Sequence, residues 1–166
     1  MTTILVTFAT KAATTQSIAE RIGARLTEQG HEVAVVSVQD DPDPAAYGAV
    51  VVGSGILAGS VYSPAKAWVT KHAQALAARP YAAFIVCLSI SSDKPEEHTA
   101  AEKYPEQLTG PVGAEPVASE VFAGSLVLSR RTWWERALAR IVKAPTGDFR
   151  DWTAVDDWAG KVAGLV

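Results

Sequence analysis

The stretch Thr7 to Ile22, TFATKAATTQSIAERI, decides how the rest of the chain is read. Its left side completes a short β-rich run, Ile4-Leu5-Val6-Thr7-Phe8. Its right side opens a helical pattern in which Ile18, Ile22 and Leu26 recur every four residues, with Gly30 placed as a stop. Between them lies Thr10-Lys11-Ala12-Ala13-Thr14-Thr15, rich in hydroxyls and without glycine. A strand that feeds a helix through such a loop presents backbone N–H groups and the positive end of the helix dipole. That setting favours an anion, and the hydroxyls of Thr10, Thr14 and Thr15 add hydrogen bonds for phosphate oxygens. The competing reading is that one threonine caps the helix.

The same alternation continues along the chain. Val33–Val38, Ala49–Gly53, Tyr81–Ser89 and Val117–Ala123 read as four more strands. Ser63-Pro64 reads as an N-cap followed by proline in the first helical position, opening a helix through Trp68, Lys71 and Leu76 to Arg79-Pro80. Residues 95–108 are polar and interrupted by Pro105, which predicts a broken helix. Val155, Trp158, Ala159 and Val162 mark an amphipathic C-terminal helix capped near Asp151. Strict alternation argues for a parallel sheet covered on both faces, because each crossover helix must pack back on the sheet. Consecutive apolar residues such as Val50-Val51-Val52 and Phe84-Ile85-Val86-Cys87-Leu88 suit strands buried on both sides. In such a sheet the ligand sits at the carboxyl ends of the strands, so the loops after strands one, three and four are the places to look.

Composition sets the outer bounds. The 166 residues are enough for one domain with a sizeable core. At 48 % hydrophobic and 20 % charged residues the chain is of soluble globular type, and it has no run of about 18 uncharged apolar residues to span a bilayer. Met1-Thr2-Thr3 leads straight into a strand with no signal-peptide pattern, so a cytoplasmic location is expected. The single cysteine, Cys87, lies in an apolar run and reads as a small buried hydrophobe. His31, His72 and His98 lack metal-ligand spacing. Asp40, Asp41 and Asp43 form an acidic turn among prolines, with no carboxylate at the end of the first strand to join them, which argues against a phosphoacceptor receiver domain. The net charge of −3 conceals an asymmetry: Arg130, Arg131, Arg136, Arg140 and Lys143 face only Glu135 within residues 130–143. This basic island on an acidic body is too narrow for a nucleic-acid stripe.

Several of these segments resemble a known family. TKAATT, Thr10 to Thr15, is similar to the phosphate loop of flavodoxins. Val51 to Gly59, VVGSGILAG, resembles the loop after their third strand; Cys87 to Ser92 sits where their fourth-strand flavin loop falls; and VFAGSL, Val121 to Leu126, resembles the end of their fifth strand. VKAPTGDFRDW, Val142 to Trp152, is similar to the corresponding stretch of flavodoxin-domain proteins related to the menaquinone-dependent protoporphyrinogen IX dehydrogenases. The resemblance covers nearly the whole chain. It implies a flavodoxin-like α/β three-layer sandwich, with a five-stranded parallel sheet in the order 2-1-3-4-5 and helices on both faces. It implies FMN as cofactor, its phosphate held by Thr10, Lys11, Ala12, Ala13, Thr14 and Thr15. The flavin ring would be lined by Ser54, Gly55, Ile56, Leu57, Ala58 and Gly59 and by Ser89, Ile90, Ser91 and Ser92. Two positions depart from the family pattern: Ala13 stands where glycine is usual, and Gly55 where proline is frequent. If position 13 takes a positive φ, alanine costs about 1 kcal/mol there.

The resemblance leaves two kinds of flavin protein to weigh. Electron-carrying flavodoxins commonly stack aromatic side chains on the ring, whereas the second and third loops here offer Ile56, Leu57 and Ile90 among small residues. Tyr62 is read as packing beside the following helix. An uncovered ring face leaves room for an organic substrate of the porphyrinogen or quinone class, which tilts the reading toward an enzyme. The basic segment, RRTWWERALARIVK from Arg130 to Lys143, places Trp134, Leu138 and Ile141 on one helical face and Arg136, Arg140 and Lys143 on another, with Trp133 adding bulk. Arg130, Arg131, Trp133, Trp134, Arg136 and Arg140 are thus candidate contacts for an anionic membrane surface or for the carboxylates of a substrate. The plain alternative is a surface helix whose tryptophans pack on the sheet. An electron shuttle, and a flavodoxin-like module that has lost FMN through the change at Ala13, remain the rival functional readings.

Overall fold

The computed structural model describes residues 1–10, 13–87, 94–126, 147–148 and 150–166. In chain order the elements are β1 (Thr3–Ala9), α1 (Thr14–Glu28), β2 (Glu32–Ser37), β3 (Ala49–Leu57) and β4 (Ser60–Val61), then α2 (Ser63–Lys71), α3 (Ala73–Ala77) and β5 (Tyr81–Val86). They continue with α4 (Pro95–Ala101), α5 (Tyr104–Thr109), β6 (Ala118–Phe122), β7 (Ser125–Leu126), β8 (Gly147–Asp148) and α6 (Trp152–Ala163). The main sheet runs β2-β1-β3-β5-β6, all parallel, with β4 antiparallel to the end of β3. Counting only the parallel strands, this is the order 2-1-3-4-5 that the sequence leads one to expect.

Strand residues alternate between two apolar layers, which explains why the sequence shows no polar alternation. Ile4, Val6, Phe8, Val51, Phe84 and Val86 face one side, with Ile18, Ile22 and Leu26 of α1 and Val155, Trp158 and Val162 of α6. Leu5, Ala9, Val50, Val52, Ala83 and Ile85 face the other, with Trp68 and Val69 of α2, Leu76 of α3 and Leu108 of α5. Each fully buried aliphatic side chain contributes about 1.5–3 kcal/mol, so the two layers supply most of the driving force. Cys87 is buried at the end of β5, as expected for a small hydrophobe, and its N–H continues the ladder to Phe122 O at 2.9 Å.

Besides one-residue shifts at the ends of β1, β2 and β6 and the end of β5 at Val86 where the sequence reading ran to Ser89, three boundaries differ from that reading. The helix expected to start with Ser63 as N-cap includes Ser63 as its first residue, and Tyr62 takes the cap position without a side-chain cap. That helix also breaks at His72, where φ is −103° and ψ 14°. Lys71 and His72 both reach Asp41 across the chain, His72 Nε2 lying 3.1 Å from Asp41 Oδ1. Third, β3 does not stop at Gly53. It runs on to Leu57 and folds back as a hairpin, because Ala58 (φ 51°) and Gly59 (φ 75°) form a two-residue turn with both φ values positive. The broken helix over α4 and α5 and the Asp151 cap of α6 are found where the sequence places them, with Asp151 Oδ1 accepting from Ala154 N at 3.0 Å.

Candidate functional site

The carboxyl ends of β1, β3, β5 and β6 open on one edge of the sheet, and α1 begins there. Its N-cap residue is Ala13, with φ 32° and ψ −14°, and no side chain caps the helix. The alanine side chain has no oxygen to offer, and no threonine stands at the N-cap position. Elsewhere the chain does cap: Ser37 accepts from Gln39 N, Asp43 from Ala45 N and Asp151 from Ala154 N. The start of α1 therefore keeps its dipole without a side-chain cap, and its first turn carries no acidic residue. The positive φ at Ala13 is the backbone state for which glycine is the usual choice.

Neighbouring strand ends close around this loop. A Cβ on Gly55 would stand 3.2 Å from Thr15 Oγ1, so the absence of a side chain there lets β3 approach the buried Thr15. A Cβ on Gly124, just beyond β6, would lie 3.8 Å from Thr14 Cγ2 and 3.1 Å from Val86 Cγ1. The three strand ends thus make a cradle that added methyl groups would crowd. Ser54, expected to line a flavin ring, is fully buried and braces the hairpin: its hydroxyl donates to Gly55 O at 2.7 Å and accepts from Tyr62 N at 3.1 Å. Ile56 and Tyr62 pack against the core, while Leu57 is about half exposed on the hairpin rim. Tyr104, the first residue of α5, is buried; burial pushes its phenol up from its ordinary pKa, and Cys87 at the end of β5 adds to the shift.

Of the sequence-predicted site residues, Thr10, Ala13, Thr14, Thr15 and Ser54 to Gly59 lie along this edge. Lys11, Ala12, Ser89, Ile90, Ser91, Ser92, Arg130, Arg131, Trp133, Trp134, Arg136 and Arg140 lie outside the described residues. The ends of the basic segment are described. Ser125 pairs with Asp148 and Leu126 with Gly147 in an antiparallel clasp, one residue beyond Gly124. Two residues that the sequence reading did not single out join the cradle: Ser17 Oγ donates to Thr14 O at 2.7 Å and accepts from Arg150 Nη1 at 2.8 Å. Arg150 stands in the DFRDW stretch, but its partner is 133 positions away, beyond any local signal.

The model of the flavodoxin domain matches residues 5–153. The chain belongs to the flavodoxin domain family. Its solved relatives include flavodoxin 1 of Bacillus cereus, with 13 % identity, 99 % of each chain covered and a TM-score of 0.61. They also include the Fusobacterium nucleatum flavodoxin bound to flavin mononucleotide, with 11 % identity, 99 % of this chain and 96 % of that one covered, and a TM-score of 0.59. At these identities the likeness speaks for the fold. By sequence this flavodoxin-domain chain is 27 % identical over 173 residues to the protoporphyrinogen IX dehydrogenase [quinone] of Escherichia coli K12, covering 97 % of this chain and 94 % of that one. Among the described residues no group of three or more His, Cys, Asp or Glu is placed to hold a metal, and no helix is long and apolar enough to cross a membrane.

Proposed function

We propose that this flavodoxin-domain protein is an FMN-dependent oxidoreductase of the protoporphyrinogen and quinone type. The observation that carries the reading is the uncapped start of α1 set in a cradle of strand ends, in a chain aligned along 97 % of its length with a protoporphyrinogen IX dehydrogenase. The helix start suits an FMN phosphate: its first turn has no acidic residue and its N-cap residue, Ala13, makes no side-chain cap. Thr10 to Thr15 would hold the phosphate through N–H and hydroxyl donors. Ser54 to Gly59 and Ser89 to Ser92 would flank the ring, with Ser54 fixing the hairpin that presents Leu57. When bound, FMN supplies the two-electron chemistry that takes electrons from a reduced organic substrate and passes them to a quinone. The chain's own part is to bind, orient and shield.

In this reading one domain, residues 1–166, carries an extra basic segment around 125–150, whose ends are clasped beside the cradle. Arg130, Arg131, Trp133, Trp134, Arg136 and Arg140 would meet substrate carboxylates or the anionic inner face of a membrane. Exposed Leu57 and the lack of an aromatic side chain on the second loop favour an open ring face over the stacked face of an electron shuttle. The test has two stages. Titration of the purified protein with FMN should give a saturable bound-flavin spectrum, and no binding would exclude both enzyme and shuttle. The reduced, loaded protein should then be reoxidised by a soluble menaquinone analogue, under exclusion of air, faster than free reduced FMN. An equal rate would leave the shuttle as the better reading.

A further inference from the structure

We propose that Arg150 is a positioning residue of the phosphate loop, and that it sets the preference of this protein for FMN over unphosphorylated flavin; the inference rests on the FMN reading above. The first turn of α1 lacks a side-chain cap and starts from an alanine in the left-handed region, so something else has to hold it. Two bonds do so from Ser17: its N–H donates to Ala13 O at 3.0 Å, and its hydroxyl donates to Thr14 O at 2.7 Å. Arg150 Nη1 donates to that same hydroxyl at 2.8 Å. With one lone pair engaged by the guanidinium, the hydroxyl proton is directed to Thr14 O, and the two hydrogen bonds reinforce each other.

The relay Arg150, Ser17, Thr14 thus braces the first turn of α1, whose N–H groups the FMN reading assigns to the phosphate. Arg150 is half-buried, and in the FMN reading its positive charge, hydrogen-bonded to the first turn of α1, would favour a phosphate of nearly two negative charges at that helix start. Arg150 is itself placed by its neighbours. The guanidinium carbon lies 5.0 Å from the centroid of the Trp152 ring, and β8 ends two residues earlier in the clasp with β7. The return path of the basic segment is thereby tied to the phosphate loop.

The test compares FMN with riboflavin, which is the same molecule without the phosphate. Dissociation constants are measured by flavin fluorescence for the parent chain, Arg150→Gln and Arg150→Lys, at low and high salt. The expected result is FMN binding about tenfold weaker in Arg150→Gln, with riboflavin binding changed by less than about twofold, partial recovery in Arg150→Lys, and a smaller salt effect in Arg150→Gln. An unchanged ratio of FMN to riboflavin affinity in Arg150→Gln overturns the assignment and leaves the FMN reading standing. No FMN binding by the parent chain overturns both. Should Arg150→Gln fail to fold, Ser17→Ala is read in its place. It removes the brace while keeping the cation, and it must show the same selective loss for FMN; an unchanged ratio there overturns the assignment.

Discussion

Phe84 and Gly53 are register partners on neighbouring parallel strands, and a Cβ on Gly53 would stand 2.0 Å from Phe84 Cζ. The ring of Phe84 occupies the space that every other residue type at position 53 would need. Phe84 is fully buried between α1 and α6, so it has nowhere to retreat. Gly53→Ala is therefore expected to cost about 3 kcal/mol through overpacking, seen as a lower urea midpoint at unchanged slope. A midpoint equal to the parent's would show that the ring can move aside.

Ala13 is exposed and holds φ 32°, a conformation glycine takes without steric cost. Ala13→Gly trades that relief against extra freedom in the unfolded chain, leaving a net gain that should raise Tm by about 2 °C. Ala13→Val, β-branched at the same angle, should lower it. Thermal unfolding followed by circular dichroism reads both, and the opposite order would mean that the turn is unstrained.

Thr15 is buried with its Oγ1 toward Gly55, and the FMN reading makes this hydroxyl a phosphate donor. Thr15→Val keeps the volume and removes the hydroxyl. FMN affinity should fall about tenfold while riboflavin affinity falls less. Equal loss for both flavins would assign Thr15 to packing alone.

The carboxyl of Asp156 on α6 receives Arg21 Nε and Nη2 from α1, both at 2.6 Å. The hydrogen bond from Arg21, followed by the charges of Arg21 and Arg25, holds its pKa below the ordinary carboxylate value against a desolvation effect of opposite sign. A lowered folded pKa means that the stabilisation is present above the unfolded value, about 4, and is lost as pH falls through the folded one. Asp156→Asn should be less stable than the parent near neutral pH, and the gap should close in acid. Urea midpoints at pH 7 and at about pH 3 measure this; a constant gap would place the effect in packing.

Trp158 meets Phe84 and Phe122 edge to face, with centroids 6.2 Å and 5.7 Å away, and its buried Nε1 has no hydrogen-bond partner among the described residues. Trp158→Ala should cost about 3–5 kcal/mol, from the cavity it leaves. Trp158→Phe should cost only about 1 kcal/mol, because it also removes the unsatisfied donor. Equal losses in urea unfolding would mean that Nε1 is not the liability it looks to be.

The alternation of apolar runs and helical periods sufficed to read the parallel sheet, its two covered faces and the edge that carries the loops. Those features depend on residues close together in sequence: Ile18, Ile22 and Leu26 on one helix face, Val50-Val51-Val52 through both layers. The junction of β1 and α1 was legible for the same reason, since a strand, a run of threonines and a helix follow one another directly. The β3–β4 hairpin was not, because its turn depends on a positive φ at Ala58, which side-chain type does not announce.

The sequence by itself determined the two apolar layers and the strand-to-helix junction at the start of α1, because burial pattern and helix periodicity are local properties of the chain. Only the tertiary structure decided that Ala13 is left-handed, that Ser54 closes the hairpin, and that Arg150 reaches Ser17. Each of these depends on a backbone angle or a partner set by packing between distant segments. Arg150 and Ser17 meet because β6, the clasp and α6 carry one end of the chain back across the start of α1.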